Sequence, residues 1–236
     1  MRKRISQLFW VLGLAGAKLF GAEIPMVQAR EAIALLADAR QNRQDGYFNR
    51  AEAGYNRALH ILEDAAGKDS PELTPALNGL AELYFDVHRY SEAELLARRS
   101  AALVEANLGP AHPLLATALQ DLAAVYHVQG QFEKAEPLYQ RALRIREQAL
   151  GANHPFVAST LINLAELESA LGNYDRAAEH YARALEIRQS AFGADDPSVA
   201  QTLSGYAAVL RKTCHGREAA ALETRSKTIL AAAALR

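Results

Sequence analysis

The stretch that decides the fold is Ala111-His-Pro-Leu-Leu-Ala-Thr-Ala-Leu-Gln-Asp-Leu-Ala-Ala-Val-Tyr126, followed by Gln129-Gly-Gln-Phe-Glu-Lys-Ala-Glu-Pro-Leu-Tyr-Gln-Arg-Ala-Leu143 and Leu150-Gly-Ala-Asn-His-Pro155. Its first part places Leu119, Leu122, Ala123 and Tyr126 at i, i+3, i+4 and i+7, one apolar stripe of a 3.6-residue helix. That helix is predicted to run from Pro113 to about Gln129 and to break at Gly130-Gln131. A second helix is predicted from about Phe132 to Leu150, with Ala135, Tyr139, Ala142 and Leu143 facing inward. Gly151 follows its last turn, where a left-handed residue is wanted, and Pro155 stands in the first turn of the next helix, which tolerates a missing N–H.

Working outward, the pattern recurs every 42 residues. Pro71, Pro113, Pro155 and Pro197 keep this spacing, as do Gly67, Gly109, Gly151 and Gly193. Ala51, Ala93, Ala135, Ala177 and Ala219 keep it too, and so do Leu77, Leu119, Leu161 and Leu203. Self-similarity at such a period is the signature of a repeat architecture, here a helical hairpin plus a short link. Ser70, His112, His154 and Asp196 precede the four prolines. Ser70 and Asp196 are read as helix N-caps, and His112 and His154 as capping or turn residues, because a metal site needs convergent ligands and these lie one repeat apart.

These stretches closely resemble tetratricopeptide repeats (TPRs) of the kinesin-light-chain type, which use a 42-residue unit. The resemblance covers about residues 29–230. It implies an all-α, right-handed α-solenoid of about five TPR hairpins, at about 29–62, 71–104, 113–146, 155–188 and 197–230. The end repeats are atypical, as repeats lacking a neighbour are expected to be: Asn42 stands where Tyr84 and Tyr126 stand, and Cys214 where Gly130 stands. The last helix leaves Ile229, Leu230 and Leu235 as an expected sticky edge.

Composition agrees with a helical reading. The 236 residues are 50% apolar and 7% aromatic, with the apolar share dominated by Ala and Leu, both strong helix formers. Net charge is −1, which gives no whole-domain footprint for nucleic acid. Residues 1–22 read as a signal peptide: Met1-Arg2-Lys3-Arg4, the apolar run Leu8–Leu14, then Ala15-Gly16-Ala17. Cleavage is expected after Ala17 or Ala22; retention as an interfacial anchor is the alternative, since the run falls short of the about 20 residues a span needs. Loss of the three leading basic residues leaves 23 basic against 27 acidic side chains. The rest, 23–236, is expected to be exported to the periplasm or secreted, with no stable membrane insertion. Cys214 is the single cysteine, so no intramolecular disulfide forms; it is expected to be a small buried residue at a helix–helix turn.

The resemblance places partner contacts on the first helices, beside the core stripe. The strip comprises Asn78, Glu82 and Phe85; Gln120, Ala124 and His127; Ile162, Glu166 and Ser169; and Ser204, Ala208 and Arg211. The position after each leading member carries Gly79, Asp121, Asn163 and Gly205. The expected groove is Asn78, Glu82, Phe85, Gln120, Asp121, His127, Ile162, Asn163, Glu166, Ser169 and Arg211, acidic at its centre and basic at its C-terminal end. Asn163 offers an amide that bonds a ligand backbone through both donor and acceptor. Glu82 and Glu166 disfavour a carboxylate-clamping site.

No phosphate loop, H-E-x-x-H, G-x-S-x-G or paired-Cys pattern occurs. The adjacency of Cys214 and His215 makes no dyad. The chain therefore reads as a non-enzyme without cofactor or metal: an adaptor for a peptide or protein partner. The alternative is a structural assembly subunit of an envelope complex that self-associates through its helical ends, the C-terminal helix included, or through the Cys214 thiol.

Overall fold

The computed structural model describes residues 26–234. The expected leader and Leu235 lie outside them. Among the described residues all regular structure is helical: α1 Met26–Gln44, α2 Phe48–Ala66, α3 Thr74–Asp86, α4 Tyr90–Leu108, α5 Pro113–Val128, α6 Phe132–Leu150, α7 Pro155–Ala170, α8 Tyr174–Phe192, α9 Pro197–Leu210 and α10 Gly216–Ala234. A 3₁₀ turn at Pro71–Leu73 precedes α3. Pro75 explains it: without an N–H it cannot bond back to residue 71, so the first turn closes through Leu73 N to Ser70 O at 3.3 Å.

The four residues before the prolines are caps. The Ser70 hydroxyl accepts from Glu72 N at 3.3 Å, and His112 Nδ1 from Leu114 N at 3.2 Å. His154 Nδ1 accepts from Phe156 N at 3.2 Å, and Asp196 Oδ1 from Ser198 N at 2.8 Å. At the other end, Gly67, Gly109, Gly151 and Gly193 take φ of 86–90° while their N–H groups bond the carbonyls of Glu63, Glu105, Glu147 and Gln189.

Contacts divide the chain into two compact units, residues 26–125 and 126–234. In the first, α1 pairs with α2 and α3 with α4, and the core is built on Ala32, Leu36, Ala51, Tyr55, Leu62, Leu73, Leu77 and Leu80. In the second, α7 pairs with α8 and α9 with α10 around Val157, Leu161, Tyr181, Val199 and Leu203. The first helices are also neighbours within each unit, α1 beside α3 and α7 beside α9. The periodic alanines 51, 93, 135, 177 and 219 are each fully buried, where only a small side chain lets backbones approach.

A second periodic set ties repeats together. Arg57, Arg99, Arg141, Arg183 and Arg225 share one register. Arg99 pairs with Glu63 at 2.6 Å and donates to Lys68 O at 3.1 Å. Arg183 pairs with Glu147 at 2.7 Å and donates to Ala152 O at 3.2 Å, while Arg225 donates to Ala194 O at 3.3 Å. Arg99, Arg183 and Arg225 thus reach the link closing the preceding repeat, whereas Arg57 pairs with Glu31 of α1.

Two expectations at the C-terminal end need correction. Ile229 is buried, 4% exposed, packed with Val199, Ala200 and Leu203, because α9 supplies the surface its side chain faces. Leu230 next to it remains open. Cys214 is exposed rather than buried, since it sits at the tip of the α9–α10 turn, the part of a hairpin with no helix packed over it.

Candidate functional site

In the first unit, three first helices present one shallow cleft of about 100 Å³, lined by Arg43 of α1, Ala81, Glu82, Phe85 and Asp86 of α3, and Asp121, Ala124 and Val125 of α5. That is room for about three waters or the end of one long side chain. The strip residues Glu82, Phe85 and Asp121 thus meet. The Phe85 and Tyr90 rings meet in a T-shaped arrangement, centroids 5.7 Å apart at 66°. Asp121 is half-buried, and Gln120 beside it likewise.

The expected acidic centre is not open here. Arg43 sits between the two carboxylates, 2.6 Å from Glu82 and 2.8 Å from Asp86. Burial opposes the Arg43 charge, but Glu82 and then Asp86 more than offset it, so its pKa is raised. Burial also lifts the Glu82 carboxyl above the ordinary range, against the pull of Arg43 and Arg40. Arg40 and Arg43 were legible in principle: they stand one 42-residue period before Glu82 and Phe85.

Asn78 also departs from expectation. It is buried, 6% exposed, with its Oδ1 enclosed and without a hydrogen-bond partner. Its register marks the edge of the core rather than an open face. At the same position Ile162 packs against two core clusters, and Ser204, in the final repeat, is exposed.

In the second unit, α7 carries Ile162, Asn163, Glu166 and Ser169 along one side, with Glu166 exposed and the others half-buried. Protein atoms around Glu166 push its carboxyl pKa up through desolvation. Tyr181 of α8 lies close enough that burial and then the Glu166 charge push its phenol up as well. His127 is half-buried, edge-on to Phe132 at 5.6 Å, and desolvation lowers its imidazole pKa. Arg211, expected to make the groove's end basic, is instead held by α10: its Nε and a terminal nitrogen each donate to Glu223 at 2.6 Å. Among the described residues, no three His, Cys, Asp or Glu side chains converge as metal ligands. No described helix is long and apolar enough to cross a membrane.

Residues 75–148, 114–190 and 156–232 each match the tetratricopeptide repeat profile. No curated protein matches the chain. Among solved structures, BtubC (BKLC) from P. vanneervenii is similar at 27% identity and a TM-score of 0.74, over 98% of this chain and 85% of that one. A putative kinesin light chain of Podosopora anserina with nearly identical TPR-like repeats is similar at 22% identity and 0.68, over 85% and 95%. A Rap protein complexed with Competence and Sporulation Factor shares the fold at 17% identity and 0.72, over 85% and 54%. With its repeat profile matched in three overlapping windows and its helices paired as those repeats require, the chain belongs to the tetratricopeptide repeat family.

Proposed function

We propose that the chain is an exported adaptor that holds a peptide or protein partner against its first helices. The observation that carries the reading is a coincidence of two independent selections. The strip chosen by register contributes Glu82, Phe85, Asp121 and Ala124 to the cleft that three first helices form. Within each unit neighbouring first helices bring the same register position to one side, which suits a chain-like ligand. The Rap protein of the same fold, complexed with Competence and Sporulation Factor, is compatible with such use. Export rests on the leader pattern of Met1–Ala22, and places the partner in the periplasm or outside the cell. The assembly alternative is left with less apolar edge, because Ile229 is buried.

The test is capture from an envelope extract on immobilised chain beginning at Glu23, read by mass spectrometry. A parallel matrix carries D121A, N163A and E166A together, with helicity checked by circular dichroism. A partner retained by wild type and lost by the triple variant supports the adaptor. A partner retained by both moves the site elsewhere, and recovery of the bait alone favours self-assembly.

A further inference from the structure

The first unit shows how this fold satisfies a carboxylate at the strip position of Glu82. It seats a guanidinium there, Arg43, 2.6 Å away. Two repeats later the same register carries Glu166, and the positions of Arg40, Arg43 and Asp86 become Ala124, His127 and Ala170. The built-in cation is gone. Among the described residues Glu166 forms no ion pair or hydrogen bond, and desolvation raises its carboxyl pKa. Around it stand Asn163 one turn earlier on α7 and Tyr181 of α8, whose hydroxyl reaches Gly205 of α9. His127, the charged residue's replacement, is kept toward its neutral form by desolvation. A metal ion would need several such oxygens, and one carboxylate beside an amide and a phenol is too few. A lysine or arginine side chain needs only this set, since a carboxylate and one or two neutral acceptors match its donors.

We propose that Glu166 is the residue that selects the partner, by taking one lysine or arginine side chain of a peptide lying along α7 and α9. The inference rests on the groove reading above and names the chemistry it recognises. The partner's cation occupies the seat that Arg43 fills from within the chain at Glu82.

A phage-displayed random-peptide library selected on the full chain and on E166Q tests this. In the wild-type pool Lys and Arg are expected at one fixed position of the consensus. In the E166Q pool that preference disappears while the apolar positions persist, and E166K turns it toward Asp and Glu. For a synthetic peptide from the wild-type pool, replacing its basic residue with Gln weakens binding about tenfold on wild type and leaves E166Q binding unchanged. Selected peptides without a basic position, or with one that survives E166Q, overturn the assignment to Glu166 and leave the groove reading standing. A pool that binds no better than to the bare matrix overturns both. Coincident thermal melts of the variants show that folding is not the cause.

Discussion

Gly79 lies against the ring of Tyr55 so closely that a Cβ there would stand 2.3 Å from the ring's Cε1. The same relationship recurs between the last two helix pairs, where a Cβ on Gly205 would meet Tyr181 at 2.7 Å. Of the two registers between, one has Ala97 for the tyrosine and Asp121 for the glycine, and the other keeps a buried tyrosine, Tyr139, with Asn163 in the glycine's place. Gly79 and Gly205 therefore sit where a side chain would collide with a tyrosine ring. Because Tyr55 is buried and cannot swing clear, G79A is expected to cost about 2 kcal/mol by overpacking, despite alanine's better helix propensity. In a Y55L background the cost should largely vanish. Urea unfolding of the two single variants and the double variant gives the coupling; an equal cost in both backgrounds would show that the ring does not set the limit.

Arg146 is buried, 5% exposed, and donates to Phe156 O at 3.1 Å and to the Thr160 hydroxyl at 2.6 Å. Arg188 repeats the arrangement one period on, with Ser198 O and the Thr202 hydroxyl, both at 2.9 Å. Methionine keeps the aliphatic stem but removes the buried donor, leaving Phe156 O and Ser198 O to the Thr160 and Thr202 hydroxyls alone and those hydroxyls without a donor to accept from. R146M should destabilise by about 2 kcal/mol and R188M, which is less enclosed, by less. Equal unfolding midpoints for wild type and R146M would count against a net contribution from the buried guanidinium.

The histidine caps make stability depend on pH. His112 and His154 accept through Nδ1, which requires that nitrogen to be unprotonated. Burial lowers the pKa of both, aided at His154 by the Arg146 charge. The unfolded chain therefore takes up protons near the ordinary value of about 6.5, before the folded chain does. The stabilisation is full above that value and is lost as pH falls below it. Asn caps a helix without titrating, so the H112N/H154N variant should lose less stability than wild type between about pH 7.5 and about pH 5. Parallel losses in the two proteins would show that the caps do not carry the effect. His127 and His180, also lowered mainly by burial, keep their share in both.

Cys214, exposed at its turn, should react in full with a thiol reagent under native conditions, at a rate that denaturant does not raise. Slow native labelling that speeds up on unfolding would place the sulfur inside.

The register of the hairpins was readable because it is written in residues with one physical use each: prolines that open helices, glycines that end them, alanines where backbones meet. Position narrowed His112 and His154 to capping or turn residues, and the Nδ1 bonds identify them as caps. The groove was legible only in part. A register says which side of a helix a residue occupies but not what charge stands opposite, so the neutralisation of Glu82 by Arg43 and of Arg211 by Glu223 needed the folded chain. Asn78 was misplaced because its position lies where strip and core meet, and burial there depends on neighbours. His88 shows the same gap at a turn: it takes φ of 62° where Gly46, Gly130 and Gly172 stand, with Nδ1 bonded to the Tyr90 hydroxyl at 2.7 Å.

The arginines that reach back to the preceding link donate to main-chain oxygens at Lys68, Ala152 and Ala194. A backbone carbonyl is present whatever residue carries it, so each joint is blind to the side chains of the link it grips. A gene that duplicates or loses one whole unit leaves every such joint with an acceptor. A change of any other length strands the arginine. The chain is thus spelled so that its length can grow or shrink by whole units while each link keeps its grip.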